Sequence, residues 1–387
     1  MSSEKKKTRV LITDAEQGRC YTTARSLAQR GFKVTVAGQV GQKNIAFYSK
    51  YCNNRILYPS PEENEEAFIE IMARAAKNQH ILIPLHERTI IPLSRHLNRF
   101  GNITRIPIPR YSVLKIALDK AKTLRVAQQV GVPTPHTHFV NELEQLDLLS
   151  KDLNYPVVIK LRKEICVPPP RYTYAYSRKD FVTKYLLMHR KCKYPLVQEL
   201  ILGTGYGFFS LFNEDSEPLA FFCHKRIREY PITGGPSTYC TSIYNPKIID
   251  YGLKILREIK WYGVAMVEFR KDCRDGEFKL MEINPRFWGS LPLAIASGVD
   301  FPYLLCRMVI GENVELNKYE TGIKCRFLMR DLSALIQALK ETNRKVSYLK
   351  AFLKSFFDKN VLYGDISLKN FGPTAYTLFS FIKQVMS

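Results

Sequence analysis

The chain has 387 residues, 45% of them hydrophobic and 24% charged, a balance that suits two or three folded domains with sizeable cores and excludes a disordered chain. No run approaches the roughly 18 apolar residues of a membrane-spanning helix, and Met1 to Lys7 carry neither a secretory signal nor a transit peptide, so a cytoplasmic location is expected. The formal charge of +22 attracts polyanions, yet no Cys/His finger, RNP-type strand or basic heptad region stands beside it to mark nucleic-acid recognition, and nine scattered cysteines without a C-x-x-C pair exclude a disulfide framework or zinc cluster.

In chain order, Arg9 to Thr13 reads as a buried strand, Arg19 to Arg30 as a helix closed by Gly31, and Lys33 to Ala37 as a second strand, the alternation of a parallel α/β unit. Strands at Arg55 to Tyr58 and His80 to Pro84 and helices at Glu62 to Asn78 and Glu87 to Phe100 complete a Rossmann-like domain over residues 1–108. Its first strand-to-helix turn reads Asp14-Ala-Glu-Gln-Gly18, with one glycine and two acids. A dinucleotide pyrophosphate needs several glycines there, which sets back a nicotinamide-dependent oxidoreductase.

Tyr111 to Val130 has helical spacing, Gly131-Val-Pro-Thr-Pro135 ends it, and a strand runs through His138 to Val140. A helix at 142–152, the strand Tyr155-Pro-Val-Val-Ile-Lys160, a strand near Tyr172, a helix from Arg178 to Arg190 and a strand from Pro195 to Glu199 form a small lid at about 135–199. From Gly205 the pattern turns to long antiparallel strands at 207–212, 219–227 and 238–243, followed by a helix at 246–260 and a hairpin of Val264 to Arg270 with Glu277 to Ile283. Residues 321–387 read as a helical extension rich in Lys and Phe that includes Tyr363-Gly-Asp365, suited to a substrate cover, an oligomer contact or a membrane-surface patch.

The hairpin carries the strongest chemical signal. In Met281-Glu282-Ile283-Asn284-Pro285-Arg286, Glu282 and Asn284 share a strand face. Glu268 joins them if the register sets 268 opposite 282, which a loop of odd length centred on Asp275 would do. Two carboxylates and an amide oxygen suit a magnesium ion that bridges nucleotide phosphates, and Arg286 beyond them suits a phosphoryl group.

With these residues the chain resembles the ATP-grasp superfamily, in its carboxylate-amine ligase branch, from about residue 8 to about 312. The family's second metal-binding strand typically reads E-I-N-P-R, unbroken here. The resemblance implies α/β and α+β architecture: a Rossmann-like pre-ATP-grasp domain (1–108), an ATP-grasp domain (109–320) with the lid, and the C-terminal extension. It implies ATP and Mg2+, with Mn2+ as a substitute, and Glu268, Glu282 and Asn284 as metal ligands. Lys120 and Lys160 resemble the two lysines that grip the nucleotide phosphates, and Lys160 and Arg286 are catalytic candidates. Val197-Gln-Glu-Leu-Ile-Leu-Gly203 resembles the adenine-reading hinge, with Glu199 and the backbone of Leu200 and Ile201 as contacts. Thr204 stands where many relatives carry a ribose-binding glutamate.

A second departure follows Lys160, where relatives often place a glycine-rich phosphate loop and this chain has Leu161 to Arg171 with three consecutive prolines. Arg162, Lys163 or Arg171 could replace the missing amides, or the lid is degenerate and phosphate transfer is slow or absent. His224-Lys-Arg-Ile-Arg-Glu-Tyr-Pro231 and Thr233-Gly-Gly-Pro-Ser237 also resemble this branch. Alternation sets Arg226 and Arg228 on one face and Lys225 and Ile227 on the other, and Arg228 is the third catalytic candidate. The expected activity is ATP-dependent ligation: a small carboxylate becomes an acyl phosphate, an amine or similar nucleophile displaces phosphate, and ADP is released. The alternatives are a bicarbonate-activating relative, a non-catalytic nucleotide- or polyanion-binding protein, and the nicotinamide-dependent oxidoreductase.

Overall fold

The structure is a computed structural model that describes residues 8–163, 170–315, 318–343, 345–366 and 370–386. Three sheets organise it. Strands β1 (Arg9–Ile12), β2 (Lys33–Gln39), β3 (Asn54–Tyr58) and β4 (Ile81–Ile83) form an all-parallel sheet in the order β3-β2-β1-β4. β1 and β4 are apolar almost throughout and buried, as strands covered on both faces must be.

The second sheet, β5 (Thr137–Phe139), β6 (Val157–Lys160), β7 (Tyr172–Ala175) and β8 (Leu196–Glu199), is antiparallel in the order β5-β8-β6-β7. It has a core of its own, in which Val157, Ile159 and Val197 meet Phe181, Tyr185 and Met188 of the helix Arg178–Lys191. The third and largest sheet comprises β9 (Gly203–Phe212), β10 (Pro218–Glu229), β11 (Ser237–Ile243), β12 (Gly263–Asp272), β13 (Phe278–Asn284), β14 (Lys324–Arg326) and β15 (Val361–Tyr363), ordered β13-β12-β9-β10-β11-β14-β15. Every pairing in it is antiparallel except β14 with β15.

Two cores join the first and third sheets. One gathers Leu11, Phe68 and Leu82 with Phe208, Trp261 and Leu280, the other Val10 and Ile12 with Phe209, Phe222 and Trp288. Burial therefore locks β1 and β4 against the large sheet, while the small sheet packs mainly on itself.

Three differences from the sequence reading have local causes. The helix expected over Tyr111 to Val130 is two, Tyr111–Ala117 and Lys120–Gln129, because Asp119 turns out of helical geometry and caps the second by accepting from the N–H of Ala121 and Lys122. The C-terminal extension is not wholly helical, since β14 and β15, three residues each, extend the large sheet. Pro168 and Pro169 of the proline run lie outside the described residues. Among the described residues no helix is long and apolar enough to cross a membrane, and the eight described cysteines are free thiols.

Candidate active site

Glu268 stands directly opposite Glu282, and Met266 opposite Asn284. The turn does not produce that pairing in the expected way. Near the loop Lys271 faces Phe278, Arg270 faces Lys279 and Phe269 faces Leu280, one residue out of step with the pairs beyond, and the shift falls between Glu268 and Phe269. Met281 is the extra residue of a β-bulge. Without it Glu268 would oppose Met281, and Glu282 would turn to the other face.

Cations hold this acidic pair together. Lys120, at the start of the helix Lys120–Gln129, places Nζ 3.0 Å from Glu282 Oε2, and Lys120 is the largest influence holding the Glu282 carboxyl down at about 2. Burial pushes the Glu268 carboxyl up, Glu282 adds to the push, and Arg226, with Nη2 2.5 Å from Glu268 Oε2, opposes it. Lys160, at the end of β6, feels the charges of Lys120, Glu282 and Glu268, and burial with its neighbour Lys120 lowers its ammonium to about 8.

Asn284 donates through Nδ2 to Glu282 Oε1 at 2.9 Å and accepts at Oδ1 from Arg286 Nη2 at 2.9 Å. Arg286 Nε is 2.5 Å from Glu87 Oε1. Glu87 opens the helix Glu87–Arg95 that follows β4. Burial works against its charge, but Arg286, His86 and Arg19 outweigh it and hold the carboxyl at about 2. Arg19, in the first turn of the helix after β1, is half-buried, and desolvation together with Arg286 lowers its guanidinium to about 9. A line of alternating charge thus runs from the parallel sheet into the hairpin.

Sequence reading missed Glu87 and Arg19. The one available signal was topological: turns at the carboxyl ends of parallel strands gather at the working edge of such sheets. The turn at Asp14 takes another role. Asp14 is buried and left-handed at φ 63°, and its Oδ2 accepts from Thr89 Oγ1 at 2.7 Å and the Leu85 N–H at 3.0 Å. A carboxylate occupies the turn where a pyrophosphate would need free N–H groups, against the dinucleotide reading.

On the other flank Arg226 also donates to Gly235 O at 3.0 Å, and Arg270 bridges Glu229 Oε2 at 2.9 Å and Gly203 O at 3.0 Å. Small residues make room for these side chains. A Cβ on Gly205 would lie 2.5 Å from Glu229 Oε1 and 2.7 Å from Arg226 Cδ. The lid reaches this flank through Tyr172 and Tyr174, whose hydroxyls each donate at 3.1 Å, to Gly234 O and Thr233 O.

At the hinge Glu199 accepts from the His136 N–H at 2.8 Å and from Arg274 Nη2 at 2.7 Å, so its carboxylate ties β8 to the β12–β13 turn. The backbone groups of Leu200 and Ile201 enter no backbone hydrogen bond among the described residues, which leaves them for a flat heterocycle edge. Thr204 faces Lys271 across β9 and β12 and, with Gly203, Gly205, Arg226, Arg228 and Arg270, borders a cavity of about 230 Å³.

Arg228 requires a correction. Alternation does bury Arg226 and Arg228 and expose Lys225 and Ile227, but the Arg228 guanidinium grips Asp331, with Nε and Nη2 at 2.8 and 2.6 Å, and donates to Ser355 Oγ at 3.0 Å. Thr238 Oγ1 adds a bond to the same carboxylate at 2.8 Å. Arg228 is the buried rivet between the large sheet and the C-terminal helices, in place of the catalytic contact expected of it.

The donor set fits a hard divalent cation. Two carboxylates face each other across one ladder with an amide oxygen beside them, and that oxygen keeps a second lone pair beyond its bond to Arg286. Among the described residues no group of three or more His, Cys, Asp and Glu could hold a metal. A two-carboxylate, one-amide set leaves positions open for phosphate oxygens, unlike an all-protein cage.

Several known proteins are similar to this chain in sequence or fold. Residues 226–330 match a family described as ATP-grasp in the biosynthetic pathway with Ter operon. The chain is 24% identical over 289 residues to a D-aspartate ligase of Enterococcus faecium, covering 69% of this chain and 68% of that protein. It is 20% identical over 290 residues to the carbamoyl phosphate synthase large chain of Methanosphaerula palustris, covering 70% of this chain but only 27% of that much longer relative. Its fold is similar to a biotin carboxylase from Campylobacter jejuni solved as a β,γ-ATP complex, with a TM-score of 0.66 at 16% identity over 84% of this chain and 75% of that one.

Proposed function

We propose that this chain, which belongs to the ATP-grasp superfamily, is an ADP-forming carboxylate-amine ligase whose reaction takes place where the β12–β13 hairpin meets Lys120, Lys160 and Arg286. The observation that carries the assignment is the bulge at Met281, which sets Glu268 opposite Glu282 and brings Asn284 onto the same face. An ordinary surface hairpin has no need to oppose two carboxylates inside apolar strands, where their repulsion must be offset by buried cations.

Glu268, Glu282 and Asn284 would hold Mg2+, or Mn2+ in its place, and the bound ion would supply neutralising charge to the nucleotide phosphates. Lys120 and Lys160 hold phosphate oxygens as mobile point charges. Arg286, fixed by Glu87 on one edge and Asn284 on the other, presents its guanidinium to the phosphoryl group that passes from ATP to the substrate carboxylate. An amine then attacks the acyl carbon and phosphate leaves. Leu200 and Ile201 offer backbone to adenine, with Glu199 fixing the hinge and Thr204 beside the ribose. Arg226 and Arg270, opposite the lid tyrosines, line the side from which an anionic substrate enters.

The likeness to D-aspartate ligase makes amino acids the first acids and amines to try. The test follows ADP and phosphate release from Mg-ATP with a panel of amino-acid pairs. Turnover that needs both an acid and an amine supports the ligase. ATP binding without turnover across the panel would return the chain to a nucleotide-binding role.

A further inference from the structure

We infer that the face presented by the helix Lys345–Lys354 and the turn after it docks on an anionic lipid bilayer. The helix has two sides. Phe352 and Ser355 are buried against the body and Tyr348 half-buried, and the Phe352 ring lies under the guanidiniums of Arg228 and Arg326 at 5.4 and 5.8 Å. This side is riveted down by Asp331 and Ser355, so the outer side is held at a fixed angle to the protein.

The outer side is apolar where solvent would call for polar residues. Val346, Leu349 and Leu353 are spaced three and four apart, one stripe of a helix, and are 65%, 37% and 54% exposed. Phe357, just beyond, is 87% exposed. Single exposed apolar residues are common and need no explanation. Three on one stripe of a docked helix, with a fourth in the turn that follows it, form a patch that marks a binding surface.

Charge selects the partner. Lys350 and Lys354 follow the stripe along one border and Lys345 stands on the other. No Asp or Glu occurs from Lys345 to Phe357, and the first acid beyond, Asp358, is engaged by Lys324 at 3.0 Å and the Tyr239 hydroxyl at 2.6 Å. An apolar stripe flanked by lysines lets side chains enter the acyl boundary while ammonium groups reach lipid phosphates. A second copy of the chain docking by a two-fold axis would bring these lysines against their own equivalents. A nucleic acid would use the lysines but leave Val346, Leu349 and Leu353 in water.

The experiment is vesicle co-sedimentation of the full chain, with phosphatidylcholine alone and with phosphatidylcholine containing about one third phosphatidylglycerol. The protein is expected to bind the anionic vesicles at least about tenfold more tightly than the neutral ones, and less tightly as salt is raised. The pair Leu353→Ser and Phe357→Ser should weaken that binding on the order of tenfold, and Lys350→Gln with Lys354→Gln should weaken it by roughly fivefold per lysine. Both pairs lie on the surface and should leave ATP turnover without lipid unchanged. Equal binding to both vesicle types, no binding to either, or binding that both pairs leave intact would overturn the inference. So would a dimer in sedimentation that the Leu353 and Phe357 changes dissolve while vesicles are ignored, or RNA binding that only the lysine changes abolish.

Discussion

Replacing Glu87 by Gln keeps its shape and removes the charge that Arg286 leans on. The Glu87 carboxyl is held at about 2 against an ordinary 4.5, and both partners are less than a fifth exposed, so little is lost to solvent screening. The difference corresponds to about 3 kcal/mol of stabilisation of the charged form, carried at neutral pH by Arg286 and Arg19, since burial lowers His86 to about 4 and leaves it uncharged there. Because the carboxyl is depressed, this stability is fully present above about pH 4.5 and is lost as pH falls through about 2. Urea unfolding at neutral pH of the wild type, Glu87→Gln, Arg286→Gln and the double variant closes a cycle. The Glu87–Arg286 coupling should be about 2 kcal/mol, and ADP release by Glu87→Gln should fall about 10- to 100-fold as Arg286 loses its alignment. Additivity within about 0.5 kcal/mol together with unchanged turnover would refute the idea that the parallel sheet positions this guanidinium.

Glu282→Gln and Asn284→Ala should each cut ADP release by about two to three orders of magnitude, measured at saturating Mg-ATP; activity within a few-fold of wild type would remove these residues from the site. Lys160, lowered to about 8, loses its charge in the nucleotide-free protein as pH rises through that value, so ATP affinity by calorimetry should decline above about pH 8. The unfolded chain keeps that proton up to about 10.5, so the same shift makes the free protein gain stability as pH rises from about 8 to about 10.5. Lys160→Arg should flatten the affinity profile, and an unaltered decline in that variant would assign the titration elsewhere. Arg228→Met strands Asp331 in the interior and should cost about 3–5 kcal/mol, with faster amide exchange in 328–357. Exchange confined to wild-type rates would contradict the rivet.

The shared face of Glu282 and Asn284, on which the proposed metal site rests, was legible in the sequence because strand alternation alone puts the two side chains together. Its third member was legible only as a conditional. The pairing of Glu268 with Glu282 comes from a bulge at Met281 rather than from loop length, and methionine carries no signal for a bulge. Glu87 was out of reach because its partner lies 199 residues away, a contact set by sheet packing and not by local pattern. Arg228 was misread because alternation tells which face a side chain takes, not which neighbour waits there. Here the neighbour is Asp331, delivered by a C-terminal segment whose two short strands are below the length at which a period of two can be seen.

The most direct measurement is the binding of Mn2+ by electron paramagnetic resonance, with and without ADP, to wild type and to Glu268→Gln with Glu282→Gln. One ion per chain, bound tightly only with nucleotide in wild type and lost in the double variant, is the predicted result. Binding of equal strength in both proteins would show that the ion sits elsewhere and that the opposed carboxylates have another purpose.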